Sequence, residues 1–572
     1  MYNIKWNIKS SLLEPNRINE FSSRFSIPYE FATVILNRGI ETEEQFLKYI
    51  KKPLDLIYNP KLMPDMENAV ERIVAAIENK EKICIYGDYD VDGVTSTALL
   101  YSFLKENGAF VEYYIPDRIT EGYGLNIKAI NKLSKSGIKL LITVDCGIAS
   151  IGEVEFAKVM KMDVIITDHH TCQQKLPNAL AVINPKRLDS EYPYNQLAGV
   201  GVAFKLVLAL GLKLGKTSRE CFDKYVAFAA IGTVADVVEL QNENRVIVDK
   251  GLKMLENCDN VGIKALLEIA GVLGKPVNST TVAFMLSPRL NASGRMDNAR
   301  LSVELQVSDV KDEAYRLSLK LDEMNRLRQQ TEKAIFEEAL EMIKSDADFQ
   351  KKKIIVLAKE GWHHGVIGIV ASKITEMFTK PCILITVEGG KGKGSGRSID
   401  NINLFESLLY CEELLTQFGG HKLAAGLSLN MSEFDEFVTK INKYIVDSYK
   451  EDPVRTLDVD CTVNSSFLTV NNARQLSWFE PYGMNNEKPV FAMSGVKVIE
   501  AKTMGQDSKH LKVLIEASGK TFDAVGFSMG DAAKLLTHGR LIDIAFNLEV
   551  NNFMGNEKVQ LLLKDIKSSN LS

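Results

Sequence analysis

Apolar positions along this chain change their period several times. Residues 1 to about 70 mix short helical patterns with Pro15, Pro28, Pro53, Pro60 and Pro64 and hold no pattern that reads as chemistry. From Lys82 short β-branched runs take over: KICIY (82–86), FVEYYI (110–115), KLLITV (139–144), DVIIT (163–167) and LAVIN (180–184). Helical patterns at 94–105, 128–135 and 152–159 fall between most of them. Strand-to-strand spacings of about 16 to 30 residues predict βαβ units and a parallel sheet. Ligands of such sheets sit at the carboxyl ends of the strands.

Residues 200–340 turn mainly helical and end in a charged stretch at 308–344 without Pro or Gly, which predicts a solvated connector helix. A second α/β pattern starts at KKIIVLA (352–358) and runs through PCILITV (381–387) to about 448, with Gly-rich segments between. After Asp452-Pro453 come short alternating runs (TLDVDCTV, SGVKVIEAKTM, LKVLIEA, TFDAVGF, IDIAFNLEV, KVQLLL) punctuated by Gly and Asn, which suit a small Greek-key barrel. The expected layout is an N-terminal cap (1–70), a parallel-sheet α/β domain (71–240), a helical region with the connector (241–345), a smaller α/β domain (346–450) and a C-terminal β-barrel (453–570).

At 572 residues the chain outgrows one hydrophobic core. Its 45% hydrophobic and 25% charged residues exclude a collagen-like, low-complexity or largely disordered protein. A net charge of −5 supplies no global basic field, so a polyanion partner must be met by a local patch. Eight cysteines without CxxC pairing, mostly in apolar runs, read as reduced buried thiols in a reducing cytoplasm. The N-terminus has no signal-peptide run and no stretch approaches the roughly 18 apolar residues of a membrane span, so no membrane role is expected.

The chemistry begins at Gly87-Asp88-Tyr89-Asp90-Val91-Asp92-Gly93, three carboxylates within five residues between a strand and a helix. The position suits a phosphate loop, but there is no GxxxxGK[ST] lysine and the charge is opposite. Carboxylates so close repel one another, and a divalent cation of the Mg²⁺ or Mn²⁺ class resolves that conflict. Other strand ends repeat the theme with Asp117, Asp145 and Asp168-His169-His170, and Asp236 stands alone in an apolar run, a costly place for a charge unless it is paired or ligated. In the second lobe Gly394-Ser395-Gly396-Arg397 reads as a phosphate cradle of backbone amides, hydroxyl and guanidinium, within a stretch (351–400) of nine Lys and Arg against four Asp and Glu.

Taken in order, YGDYDVDGVTST, IPDR, TVDCG and TDHH resemble the DHH phosphoesterase superfamily. Downstream, AGVGVAFK (198–205), ADVVEL (235–240), SPRLNASGRM (287–296), GWHHGVIGIVASKI (361–374), GKGSGRS (392–398) and GGHKLAAG (419–426) resemble its single-strand-specific DNA exonucleases. The resemblance covers roughly 70–570 and implies an α/β fold: a DHH catalytic domain, a long helix, a DHH-associated domain and an OB-fold. It further implies that Asp90, Asp92, Asp145, His169 and Asp236 hold two divalent cations, Mn²⁺ or Mg²⁺, with Asp88 in or next to that shell and Asp145 between the ions. His170 would contact the scissile phosphate. Arg118, Arg295, Ser395 and Arg397 would hold a terminal 5′-phosphate, with His421 facing the same cleft. His363 and His364 read equally well as helix-start packing.

The implied activity is stepwise 5′→3′ release of nucleoside 5′-monophosphates from single-stranded DNA in repair and recombination. A helicase and a single-strand-binding protein are the implied partners. The barrel, with 13 Lys and Arg against 15 Asp and Glu in residues 451–572, must grip the strand patchily or through aromatics, for which Trp478, Phe479 and Tyr482 are candidates. Tyr86, where many relatives carry His, and the segment 481–489 depart from the pattern. Two alternatives stay in view: a superfamily phosphoesterase acting on short oligonucleotides or pyrophosphate, and a non-catalytic DNA-binding scaffold.

Overall fold

The structure is a computed structural model that describes residues 4–118, 120–450, 455–505, 507–553 and 555–569. Two units emerge: Asp55–Pro453, and Met1–Leu54 together with Val454–Ser572. The segment expected as one cap over 1–70 therefore divides, its first 54 residues belonging with the C-terminal barrel. The expected barrel start at residue 453 lies outside the described residues.

In the larger unit the first sheet is wholly parallel, in the order Phe110–Tyr114, Lys82–Tyr86, Leu140–Val144, Asp163–Thr167, Ala181–Ile183. Buried on both faces, the central strands read as continuous apolar runs, as parallel strands do. The chain leaves Lys82–Tyr86 toward one edge and returns on its other side at Leu140–Val144. Their carboxyl ends consequently flank the switch-point crevice in which such sheets bind ligands. Packed beside them is the Gly199–Lys213 helix, where Lys205 and Glu243 form a wholly buried ion pair at 2.6 Å. That pair survives desolvation because Lys205 also donates to Tyr58 O at 2.8 Å and Glu243 accepts from Tyr192 Oη at 2.6 Å.

The charged stretch forms one helix, Lys311–Ser345. It is a packed helix rather than a solvated rod. Ala314, Leu317 and Leu321 are buried in its first half, and Ile335, Ala339 and Ile343 in its second join Val366, Val370 and Ile374 in one apolar core. Each such Leu or Ile contributes about 1.5–3 kcal/mol over its exposed state, which fixes the helix where charge composition suggested a free connector.

The second sheet is mixed, in the order Gln417–Gly420, Ala424–Asn430, Lys391–Arg397, Cys382–Glu388, Ile355–Glu360, with only the last pair parallel. Its Gly-rich segment is an interior strand rather than a cradle. Both neighbours pair with residues 391–397, so their amides are consumed by the sheet. Gly392, Gly394 and Gly396 are small because a Cβ there would meet Ile385, Leu427 or Leu404 at 3.0 Å or less.

In the smaller unit five strands close on themselves: Phe491–Met504, His510–Ala517, Lys520–Gly526, Asn556–Ser568 and Leu541–Phe553, the last pairing back to the first. Closure removes the exposed edges that a β-sheet otherwise has to protect. Lys5–Ile8 pairs in parallel with Thr456–Val459, and Phe21, Phe31 and Phe46 share the barrel's core. Phe479 lies within that core, with Trp478 and Tyr482 packed against it, so packing has claimed the three aromatics offered above for base stacking. Asn486, from the departing 481–489 segment, accepts from Arg38 at 2.6 Å and donates to Phe479 O and Pro481 O; that segment's task in this chain is to dock the N-terminal helices.

All eight cysteines are free, seven of them buried and Cys172 half-buried. No helix among the described residues is long and apolar enough to cross a membrane.

Candidate active site

Four strand or helix ends of the larger unit deliver the acidic groups. Asp88 follows Lys82–Tyr86, and Asp90 caps the Val91–Glu106 helix by accepting from Gly93 N at 3.0 Å. Asp92, in the first turn, is held by the start of another helix: its two oxygens accept from Gly199 N at 2.7 Å and Val200 N at 2.8 Å. Each of these oxygens keeps a second lone pair for a ligand. Asp145 follows Leu140–Val144 with φ at 60°, a left-handed conformation that Asp tolerates better than most residues. Asp236 ends the Ser218–Ala235 helix and is followed by Val237 at φ 59°, an outlier for a β-branched residue. Strain of this kind is held in place by surrounding structure and gathers at functional sites.

These groups converge on His169. Its Nε2 stands 3.1 Å from Asp145, 3.6 Å from Asp236 and 3.8 Å from Asp92. Burial, then the His170 charge, push the His169 ring down to about 3, so it is neutral and its lone pair is available. Burial, then the neighbouring carboxylates, hold Asp88, Asp92 and Asp145 well above the usual carboxylate range. Burial and the charge of Asp90 push Asp236 up to about 7. Asp88 Oδ1, Asp145 Oδ1, Asp236 Oδ2 and His169 Nε2 are buried without a hydrogen-bond partner. Buried orphan acceptors are expensive, and here they face one another. Asp88–Asp90–Asp145, Asp92–His169–Asp236 and Asp145–His169–His170 each bring ligand atoms within 4.8 Å, a donor set of hard oxygens and imidazole that fits divalent cations.

A pH-dependent stability follows. Between about pH 3.8 and 7 the folded chain keeps a proton on Asp236 that the unfolded chain has lost, so the metal-free fold loses stability as pH rises through that window. Cations displace those protons. Added Mn²⁺ should therefore raise the melting temperature more at pH 8 than at pH 6 in a fluorimetric melt; an equal or smaller rise at pH 8 would mean that these carboxylates do not face the ion.

Asp168 is the organiser of the loop rather than a ligand. Its Oδ1 accepts from His169 N at 2.7 Å, His170 N at 3.0 Å and His170 Nδ1 at 2.7 Å, and its Oδ2 from Ile148 N at 2.9 Å. Burial alone would lower His170, but the Asp168 hydrogen bond and the charges of Asp168 and Asp92 together outweigh it and raise the ring above its ordinary value. With Nδ1 occupied, Nε2 is the remaining nitrogen of a half-buried ring. Asp117 stays out of the cluster: its Oδ1 accepts from Thr120 N and Oγ1, both at 2.8 Å, shaping the turn that carries Arg118.

Three guanidiniums gather beside the carboxylates. Arg118 lies over the Tyr89 ring at 4.8 Å, Arg295 donates to Gly365 O at 3.2 Å, and Arg397 donates to Ser395 Oγ at 3.2 Å and Gly396 O at 2.7 Å. These partners are neutral while the three cations oppose one another: burial, then Arg118, Arg328 and Arg397, push Arg295 down to about 10, and burial and Arg118 lower Arg397. A cluster of this kind is completed by an anion. Strand alternation puts Ser395 and Arg397 on the face opposite the packed glycines, so the side chains, not the amides, remain available. His421 sits in the turn between Gln417–Gly420 and Ala424–Asn430, and Ala424 is the register partner of Arg397, so the pairing carries His421 toward the same strand end.

Sequence reading passed over four contributors. The Gly199 and Val200 amides seat Asp92. Tyr123 Oη contacts Asp145 O at 3.0 Å and His170 Nδ1 at 3.2 Å. The charge of Lys186 acts on His169, His170 and Asp236, and that of Arg328 acts on Arg295. AGVGVAFK carried a signal for the first. The others lie in a loop or on a charged helix where nothing periodic marks them.

Comparison with known proteins places three domains along the chain: DHH family, N-terminal domain, at residues 82–233; DHHA1 domain at 351–447; and RecJ OB domain at 459–565. The chain is 37% identical over 567 residues to the single-stranded-DNA-specific exonuclease RecJ of Bacillus subtilis, covering 98% of this chain and 70% of that protein. It is 34% identical to the protein of the same description from Haemophilus influenzae, covering 91% and 94%. Among solved structures, RecJ in complex with Mn²⁺ from Thermus thermophilus superposes with a TM-score of 0.84 at 29% identity, covering 99% of this chain and 79% of that one. An exonuclease RecJ bound to manganese matches with a TM-score of 0.62 at 34% identity, covering 70% and 98%.

Proposed function

The chain belongs to the RecJ family of DHH exonucleases, and from that premise we propose how its own residues carry out the reaction. It is a metal-dependent exonuclease specific for single-stranded DNA, acting in DNA repair and recombination, with Mn²⁺ or Mg²⁺ as cofactor. When bound, two such cations activate water and neutralise charge on the phosphate under attack. Asp88, Asp90, Asp92, Asp145, His169 and Asp236 would hold them, Asp145 belonging to two of the three groups of ligand atoms.

The chain's remaining residues bind and orient. His170, oriented by Asp168, which also strengthens its hold on a proton, presents Nε2 to a non-bridging oxygen of the scissile phosphate and draws charge from it as the bond breaks. Arg118, Arg295 and Arg397, with the Ser395 hydroxyl, take the terminal 5′-phosphate, and His421 lines the same cleft. An anchor for a chain end beside the hydrolytic centre converts a phosphodiesterase into an exonuclease, because only the first linkage from that end lies in reach. Nucleoside 5′-monophosphates then leave one at a time, 5′ to 3′.

The observation that carries this reading is the adjacency of orphaned buried carboxylate atoms to three arginines whose partners are neutral. Digestion of single and double strands labelled at either end, with Mn²⁺, Mg²⁺ or a chelator, tests it. Labelled mononucleotide should appear first from the 5′-labelled single strand, and chelator should abolish it. Early release of a 3′ label would refute the polarity. The barrel binds the single strand, and a helicase and a single-strand-binding protein in the cytoplasm supply it; eight free thiols suit that reducing compartment.

A further inference from the structure

One group beside the arginine cluster has no task in the reaction just described. His363 and His364 begin the same helix, yet they are differently employed. His363 is the N-cap, its Nδ1 accepting from Gly365 N at 3.1 Å. His364 Nδ1 is buried and meets no hydrogen-bond partner. One turn on, Gly368 lies on the same helix face, and a Cβ there would stand 2.9 Å from Ser395 Oγ and 3.1 Å from Arg397 Nη2. That face of the helix therefore looks onto the strand face carrying Lys393, Ser395 and Arg397. Burial, then the charges of Lys393, Arg118 and His363, keep the His364 ring below its ordinary value and hence neutral. A neutral ring beside cations, with an unused nitrogen, is a hydrogen-bonding group waiting for a polar ligand.

Resting on the reading of the arginines as the terminal-phosphate pocket, we propose that His364, backed by Lys393, is a specificity-determining residue that hydrogen-bonds the 5′-terminal phosphomonoester and distinguishes it from a 5′-hydroxyl. The arginines supply charge to any anionic oxygen in the cleft, whereas a fixed imidazole N–H is satisfied only when a phosphate oxygen occupies its corner. A substrate lacking that oxygen leaves a buried polar group unpaired, which is how a hydrogen-bonding site rejects a shortened analogue.

The experiment compares kcat/KM for 5′-phosphorylated and 5′-hydroxyl single strands of one sequence, in Mn²⁺, for the unaltered protein and for H364A, H364Q, K393A and R397A, each checked by thermal melt. The phosphate-to-hydroxyl ratio should drop roughly tenfold or more in H364A, as for loss of a hydrogen bond to a charged group. It should recover largely in H364Q, whose amide N–H replaces the donor, fall partly in K393A, and vanish in R397A. If the unaltered protein has no such preference, or R397A retains it, the pocket reading falls and His364 with it. If R397A loses the preference while H364A keeps it, or H364A slows both strands equally, the assignment of His364 alone is overturned.

Discussion

Asp145→Ala is expected to reduce metal-dependent mononucleotide release by about a thousandfold or more while single-strand binding persists. Asp145 belongs to two of the three ligand groupings and its Oδ1 lies 3.1 Å from His169 Nε2 in the third, so its loss would weaken the whole set. The variant should not unfold. Without cations, Asp145 sits in the field of Asp92, Asp90, Asp88 and Asp236, and removing it relieves that repulsion. The metal-free melting temperature should therefore change little, relief of the repulsion offsetting the strain of Ala at φ 60°, while the Mn²⁺-induced rise disappears. Activity within about tenfold of the unaltered protein would sink the assignment of this carboxylate as the bridge.

Gly199→Ala should come close to that loss with a single methyl group. A Cβ at position 199 would lie 2.5 Å from Asp145 Oδ1 and 2.7 Å from its Cβ, closer than real contacts permit. The same residue's amide holds Asp92 at 2.7 Å, so relief of the clash moves either the helix start or the bridging carboxylate. A displacement near 1 Å in such a site costs on the order of a hundredfold in rate. Measured kcat should fall by about that factor, and the Mn²⁺ concentration for half-activity should rise. The substitution Val200→Ser, one residue further along the helix, should act as a milder control because it keeps the amide that Asp92 uses and adds no atom against Asp145. Unchanged kcat and metal dependence in Gly199→Ala would show that the helix start yields without disturbing the ligands.

Much of the site was legible because its chemistry is local. Three carboxylates in five residues between a strand and a helix cannot be packed as apolar core, and DVIIT followed by Asp168-His169-His170 announces a strand end with ligand-forming side chains. The misreadings share a cause, since each concerns what lies across from a residue. Gly394 to Arg397 read as a cradle of backbone amides because pattern cannot tell a glycine needed for a turn from one needed under Ile385 and Leu427. Residues 308–344 read as solvated because the buried stripe of Ala314, Leu317, Leu321 and Ile335 is thin amid charges. Trp478 and Phe479 read as stacking candidates because nothing local reveals that Phe31 fills the space beside them.

By itself the sequence determined the alternation of strands and helices, the parallel sheet, the barrel and the identity of the acidic residues, since hydrophobic period and charge spacing are properties of neighbours in the chain. Only the tertiary structure decided that Asp117 shapes a turn while Asp236, far along the chain, comes within 3.6 Å of His169. It also decided that the charges of Arg118 and Arg397 bear on Arg295, and that the first 54 residues belong with the barrel. The physical reason is range. Backbone propensity acts over a few residues, whereas electrostatic repulsion, desolvation and close packing act through space, between side chains that meet only after the sheet and helices have docked.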